Sequence, residues 1–258
     1  MAELSGWTVV VTRAEGPRGP LAEALQAAGA DVLYLPTIEI GPPEDAVQLD
    51  RALASLADFD WLVFTSPRAV DALVQRGAVP GEGLRIAAVG PSTRDRARAG
   101  GFPVDVTGDG GAAELAEALV SHGVGPGTRV FFPGSSRGRP DLARVLEEAG
   151  ADVHEVVAYR TRIRPFDPSV TPELREVDVV TFTSPSAVQG WHASVGADPA
   201  RFDASGVRFV AIGETTAAAV ASHGMPVVIA GKTSLEGMVE TICAFATSRT
   251  PESEVKER

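Results

Sequence analysis

The run Asp60-Trp61-Leu62-Val63-Phe64-Thr65-Ser66-Pro67 recurs 118 residues later (60 to 178) as Asp178-Val179-Val180-Thr181-Phe182-Thr183-Ser184-Pro185. Each copy is apolar at nearly every position ahead of its Thr-Ser-Pro. A half-exposed strand would alternate apolar and polar residues. A continuous apolar run of this length instead predicts a strand covered on both faces, as in a parallel sheet flanked by helices. The serine and proline that follow predict a helix start. The serine side chain accepts a hydrogen bond from a first-turn N–H, and proline at the first helical position gives up an N–H that has no helical partner anyway. Strand followed at once by helix, written twice, points to an α/β fold.

Two further segments repeat at nearly the same spacing. Ala88-Val89-Gly90-Pro91-Ser92-Thr93 matches Ala211-Ile212-Gly213-Glu214-Thr215-Thr216, offset by 123 (90 to 213). Ala28-Gly29-Ala30-Asp31-Val32 matches Ala149-Gly150-Ala151-Asp152-Val153, offset by 121 (29 to 150). Half the chain is duplicated, at a period too long for a solenoid. Short apolar runs from Trp7–Val11 to Val227–Ala230 alternate with alanine-rich amphipathic stretches from Leu21–Ala28 to Leu235–Phe245. Gly29, Gly77, Gly100, Gly150 and Gly224 follow helical stretches, where a left-handed cap is expected. The fold class is therefore α/β, as two similar parallel-sheet domains with a ligand cleft expected between them.

Composition narrows the function. The chain has 258 residues and a net charge of −11. A general nucleic-acid or membrane-surface binder needs a basic face, so neither is expected as a partner. An acidic protein can still hold a small anion with a few local donors. The single cysteine, Cys243, excludes an internal disulfide framework and reads as a buried small hydrophobe. No basic region precedes a long apolar run at the N-terminus, so a cytoplasmic protein is expected. The stretch 247–258 is polar and aperiodic, and reads as a mobile tail.

The duplication supplies four strand-to-helix turns. They carry Thr65 and Ser66; Gly90, Ser92 and Thr93; Thr183, Ser184 and Ser186; and Gly213, Thr215 and Thr216. Each reads first as ordinary helix capping. A helix start also presents backbone N–H groups and a partial positive charge, which together favour anions. Four such turns at strand C-terminal ends could hold several carboxylates without many basic side chains. Other motifs lead elsewhere or nowhere. Gly134-Ser135-Ser136-Arg137-Gly138 fits a nucleophile elbow, which makes a serine hydrolase using Ser136, with His192 or His223, an alternative. Gly231-Lys232-Thr233 lacks the earlier glycine of a P-loop. The four histidines show no metal-ligand spacing, and no dinucleotide fingerprint opens a helix, so no metal and no cofactor are expected.

Taken in order, these motifs resemble the uroporphyrinogen-III synthases. The family pattern is met by Val11-Thr12-Arg13, by Pro36-Thr37-Ile38-Glu39-Ile40, by Phe64-Thr65-Ser66-Pro67-Arg68-Ala69-Val70 and its copy from Phe182, and by the Gly90 and Gly213 turns. It is also met by Gly138-Arg139 and by Tyr159-Arg160-Thr161. The resemblance runs from about Trp7 to Phe245. Ala14 and Glu214 depart from it where proline is common. The resemblance implies two domains joined by a pair of linker strands, 1–36 with 164–258 and 37–163. It implies cyclisation of hydroxymethylbilane with inversion of ring D through a spiro intermediate, without a cofactor, in a protein expected to be a monomer. It implies Tyr159 as proton donor, with Thr12, Arg13 and Arg139 among the substrate contacts and Arg68 a possible one. A non-catalytic tetrapyrrole or small-anion binding module on the same fold is the other alternative.

Overall fold

A computed structural model describes residues 4–108, 111–137, 141–167, 172–196 and 202–248. The chain runs β1 (Thr8–Val11), α1 (Pro20–Ala27), β2 (Asp31–Tyr34), β3 (Ile38–Gly41), α2 (Val47–Ala54), β4 (Trp61–Phe64), α3 (Pro67–Val74), β5 (Arg85–Ala88), α4 (Pro91–Ala99), β6 (Val106–Thr107) and α5 (Ala112–Ser121). It continues with β7 (Arg129–Ser135), α6 (Asp141–Glu148), β8 (Asp152–Ile163), β9 (Val179–Phe182), α7 (Pro185–Val195), β10 (Arg208–Ala211), α8 (Glu214–Ala221), β11 (Val227–Ile229) and α9 (Leu235–Ser248). Helix α9 takes in Thr247 and Ser248, which composition alone places in the tail. The remainder of that tail lies outside the described residues.

These elements form two compact units. One takes Met1–Glu39 and Arg162–Arg258, the other Ile40–Thr161. The first holds a sheet ordered β11-β10-β9-β1-β2, and the second a sheet ordered β3-β8-β7-β4-β5-β6. The chain passes from one unit to the other within β3 and again within β8. Apart from β3, the two orders are the same when read by duplicated partners: β9 stands for β4, β10 for β5, β1 for β7 and β2 for β8. Each unit thus combines a piece of one repeat with the complementary piece of the other.

The doubled apolar phrase forms the centre of each sheet. Val179 pairs with Val9 on one side and Arg208 on the other, both parallel. Trp61 pairs with Val130 and with Arg85, again parallel. Both faces of these strands are covered. Leu62 and Phe64 pack into one hydrophobic cluster, Trp61 and Val63 into another. Val9 and Val11 pack on one face of the other sheet, Val10 on the opposite face. Burying each large side chain contributes about 1.5–3 kcal/mol, which explains why the phrase tolerates so little polarity.

The left-handed cap after α4 is Gly101 (φ 87°), not Gly100, whose φ is −87°. Gly100 is small for a packing reason, since a Cβ there would sit 2.8 Å from Val74 Cγ2. The duplication carries the signal for both Gly101 and β6. Gly101-Phe102-Pro103-Val104 repeats as Gly224-Met225-Pro226-Val227, again offset by 123 (101 to 224). Gly224 is left-handed (φ 74°) and leads into β11, as Gly101 leads into β6.

Candidate functional site

Each of the four strand-to-helix turns has the geometry of an N-terminal cap. Ser66 and Ser184 are extended (φ −158° and −160°), and each side chain accepts a hydrogen bond at 3.2 Å, from the Ala69 and Ala187 N–H groups respectively. Gly90 and Gly213 cap α4 and α8 with no side-chain acceptor. The consequence for a ligand is a count of donors. Pro67, Pro91 and Pro185 have none to offer. Among the described residues, the N–H groups of Ser92, Thr93, Ser186, Glu214 and Thr215 donate to no protein group. These amides, with the positive helix end behind them, suit a carboxylate. Glu214 is exposed at the first position of α8 and puts a competing carboxylate beside that start.

Tyr159 meets Ser66. Its hydroxyl lies 3.1 Å from Ser66 Oγ, at the start of α3. Its placement depends on an irregularity in β8. Gly134 pairs with Val157 and Ser135 pairs with Tyr159, so Ala158 is an extra residue opposite the junction of Gly134 and Ser135. Along β8, Val153 faces one hydrophobic cluster, while Val156 and Ala158 face the other. Strict alternation would turn Tyr159 toward the Val153 side. The bulge turns it instead onto the face of Val156 and Ala158, where α3 begins. Bulges commonly re-aim a single side chain in this way. The Ser136 N–H donates to the Tyr159 carbonyl at 3.0 Å and fixes the backbone beyond the bulge.

The structure separates the remaining sequence candidates. Thr12 is fully buried, and its hydroxyl donates to the Thr181 carbonyl at 2.7 Å. It ties β1 to β9, so this hydroxyl is engaged within the sheet. Arg13 is ion-paired with Glu15 rather than presented alone. Thr65 and Thr183 are half-buried at the strand ends, and Ser92 is exposed. Thr93 and Thr216 are buried in the first turns of α4 and α8. Gly138 and Arg139 lie outside the described residues.

Ser136 makes no side-chain hydrogen bond among the described residues, and His192 and His223 stack on each other with ring centroids 4.0 Å apart. Sequence reasoning missed the pair Ser135 and Thr161, whose hydroxyls lie 3.4 Å apart one step beyond the bulge. No group of three or more potential metal ligands forms among the described residues, and no described helix is long and apolar enough to cross a membrane.

Fold and site together define a two-unit α/β protein whose parallel sheets end in anion-suited helix starts, with one tyrosine aimed at such a start. Comparison with known proteins makes this specific. The family model described as uroporphyrinogen-III synthase HemD matches residues 19–240. A uroporphyrinogen-III synthase from Synechococcus elongatus is 37% identical over 234 residues, covering 84% of this chain and 87% of the relative. A putative uroporphyrinogen-III synthase from Methanothermobacter thermautotrophicus is 30% identical, covering 91% of this chain and 96% of the relative. The fold is that of a uroporphyrinogen III synthase from Thermus thermophilus (TM-score 0.66, 19% identity, 95% of this chain and 100% of that one). The chain belongs to the uroporphyrinogen-III synthase family.

Proposed function

We propose that this chain is a cyclising lyase that converts hydroxymethylbilane into uroporphyrinogen III, with ring D inverted through a spirocyclic intermediate. The observation that carries this reading is family membership across residues 19–240. The site geometry supports it. The bilane carries eight carboxylates, and within each unit helix starts offer backbone donors suited to them, at Gly90 in one and at Ser184 and Gly213 in the other. A set of amides fixed by helix geometry is preorganised, so little reorganisation accompanies binding.

The chemistry divides into a proton and a placement. Loss of the bilane hydroxyl as water needs one proton and leaves an azafulvene cation. Tyr159 is the donor in this reading. Its hydroxyl is held toward Ser66 Oγ, which the Ala69 N–H steadies from the other side. The substituted α-carbon of ring D then attacks, and the spiro intermediate fragments and recloses with ring D inverted. Unassisted closure uses the free α-carbon and gives the type I isomer. The larger task of the protein is therefore to hold the substituted carbon nearer, an orientation effect that can supply about 7–11 kcal/mol in favourable intramolecular cases. No cofactor enters this scheme. The test is to incubate the protein with fresh hydroxymethylbilane, oxidise the products and separate the porphyrin isomers. Type III in excess of a protein-free control is expected. Type I alone, from folded protein, would overturn the reading.

A further inference from the structure

Thr37 is fully buried and bonded on three sides within one unit. Its N–H donates to the Thr12 carbonyl at 3.2 Å, and its carbonyl accepts the Arg164 N–H at 2.9 Å. Its hydroxyl donates to the Ala187 carbonyl at 2.8 Å, in the first turn of α7. One turn further on stands Gly190. A Cβ there would lie 2.8 Å from Thr37 Cβ and 3.0 Å from its carbonyl carbon, and closer still to its carbonyl oxygen. Glycine inside a helix costs about 0.5–1 kcal/mol relative to alanine. Here it admits the chain just ahead of β3 against α7.

The duplication shows that this contact is not simply what the fold requires. The partner of Gly190 in the other repeat is Ala72, 118 positions earlier (190 to 72), and the partner of Thr37 is Ala158, 121 positions later (37 to 158). Ala72 and Ala158 belong to one hydrophobic cluster, where two methyl groups replace the hydroxyl and the cavity that receives it. Both members of the pair differ together. In the unit of Ile40–Thr161, Tyr159 ties the linker strand to the start of α3 through Ser66. In the other unit Thr37 ties the linker to the start of α7.

We propose that Thr37 is a positioning residue for the helix start at Ser184. Its hydroxyl, seated by the absence of a side chain at Gly190, fixes the first turn of α7 and with it the Ser186 N–H. This inference rests on the reading that the Ser184 start takes a substrate carboxylate. Thr37 touches no substrate. It acts by holding the donor in its bound geometry beforehand, which lowers the ordering cost of binding.

The test compares Thr37→Val, similar in volume but without the donor, with Thr37→Ser, which keeps it. The Ala187 carbonyl retains its helical partner in both, so both should fold, as checked by circular dichroism and thermal melting. For Thr37→Val a rise in KM of about five-fold, the worth of one hydrogen bond, is expected with kcat little changed. Thr37→Ser should return KM to within about two-fold of the parent. Hydrogen exchange at the Ala187 amide, which is bonded to Ser184 in that first turn, should be faster in Thr37→Val alone. A parent-like KM in Thr37→Val would overturn the proposal, as would a Thr37→Ser variant equally impaired. If the parent protein makes no type III isomer, the functional reading falls by itself. Exchange at Ala187 then still decides the clamp: acceleration supports it, and an unchanged rate removes it.

Discussion

Replacing Tyr159 by phenylalanine removes a single oxygen, and the structure sets the size of the effect. The lost contact is the 3.1 Å hydrogen bond to Ser66 Oγ. Ser66 keeps the Ala69 N–H, so its oxygen is not orphaned. The ring stays packed beside Val156 and Ala158. The stability cost should therefore be that of one neutral, half-buried hydrogen bond, about 0.5–1.5 kcal/mol. The effect on rate has a different origin. A positioned acid contributes typically about 10²–10⁴-fold, but water can deliver the same proton less well, so kcat should fall by about 10–100-fold. The amides at the helix starts are untouched, so the share of type III product should stay close to that of the parent. The assay is initial rate by porphyrin absorbance with isomer separation of the same samples. An unchanged kcat would remove Tyr159 from the mechanism. A large drop in the type III share would show that Tyr159 positions the substrate rather than protonating it.

Further expectations follow from other parts of the structure. Ser66→Ala and Ser184→Ala should each lower stability by about 1 kcal/mol through loss of a helix cap, measured by urea unfolding, and Ser66→Ala should also lower kcat because it unseats Tyr159. Ala158→Leu should cost about 1–3 kcal/mol by overfilling the bulge and should reduce kcat with it; a stable variant of unchanged rate would show that the bulge does not aim Tyr159. Burial, and secondarily the charge of His192, push the His223 imidazole below its ordinary value. The unfolded chain then takes up that proton more readily, so this contribution to stability is complete above about pH 6.5 and is lost as pH falls through the lower, folded-state value. Thermal melting from pH 8 to pH 5 should show a shallower decline in His223→Gln, and an identical slope would contradict the assignment.

The sequence made the fold legible because its strands are buried on both faces and its helices are punctuated by glycine. The phrase from Asp60 needed no alternation to be read, and its recurrence at Asp178 disclosed the second sheet. What escaped did so for local reasons. Strand β6 has two residues and no apolar run of its own, and only its likeness to the approach to β11 could reveal it. Gly100 reads as the cap because it comes first in Gly100-Gly101, whereas packing against Val74 explains the first glycine and backbone angle the second. The site was legible as helix starts. The contact between Tyr159 and Ser66 was not, because residues 93 positions apart meet only through a bulge that periodicity does not announce. Thr12 lies in a recognisable motif, but the motif does not announce that its hydroxyl bonds inside the sheet.

The central claim is that backbone N–H groups at helix starts, rather than basic side chains, hold the substrate carboxylates. Amide nitrogen and proton shifts measured on adding uroporphyrinogen III test it most directly. The account predicts the largest changes at Ser92, Thr93, Ser186, Glu214 and Thr215, with the guanidinium signals of Arg13 and Arg68 little moved. Large changes confined to arginine side chains, with those five amides unmoved, would contradict it.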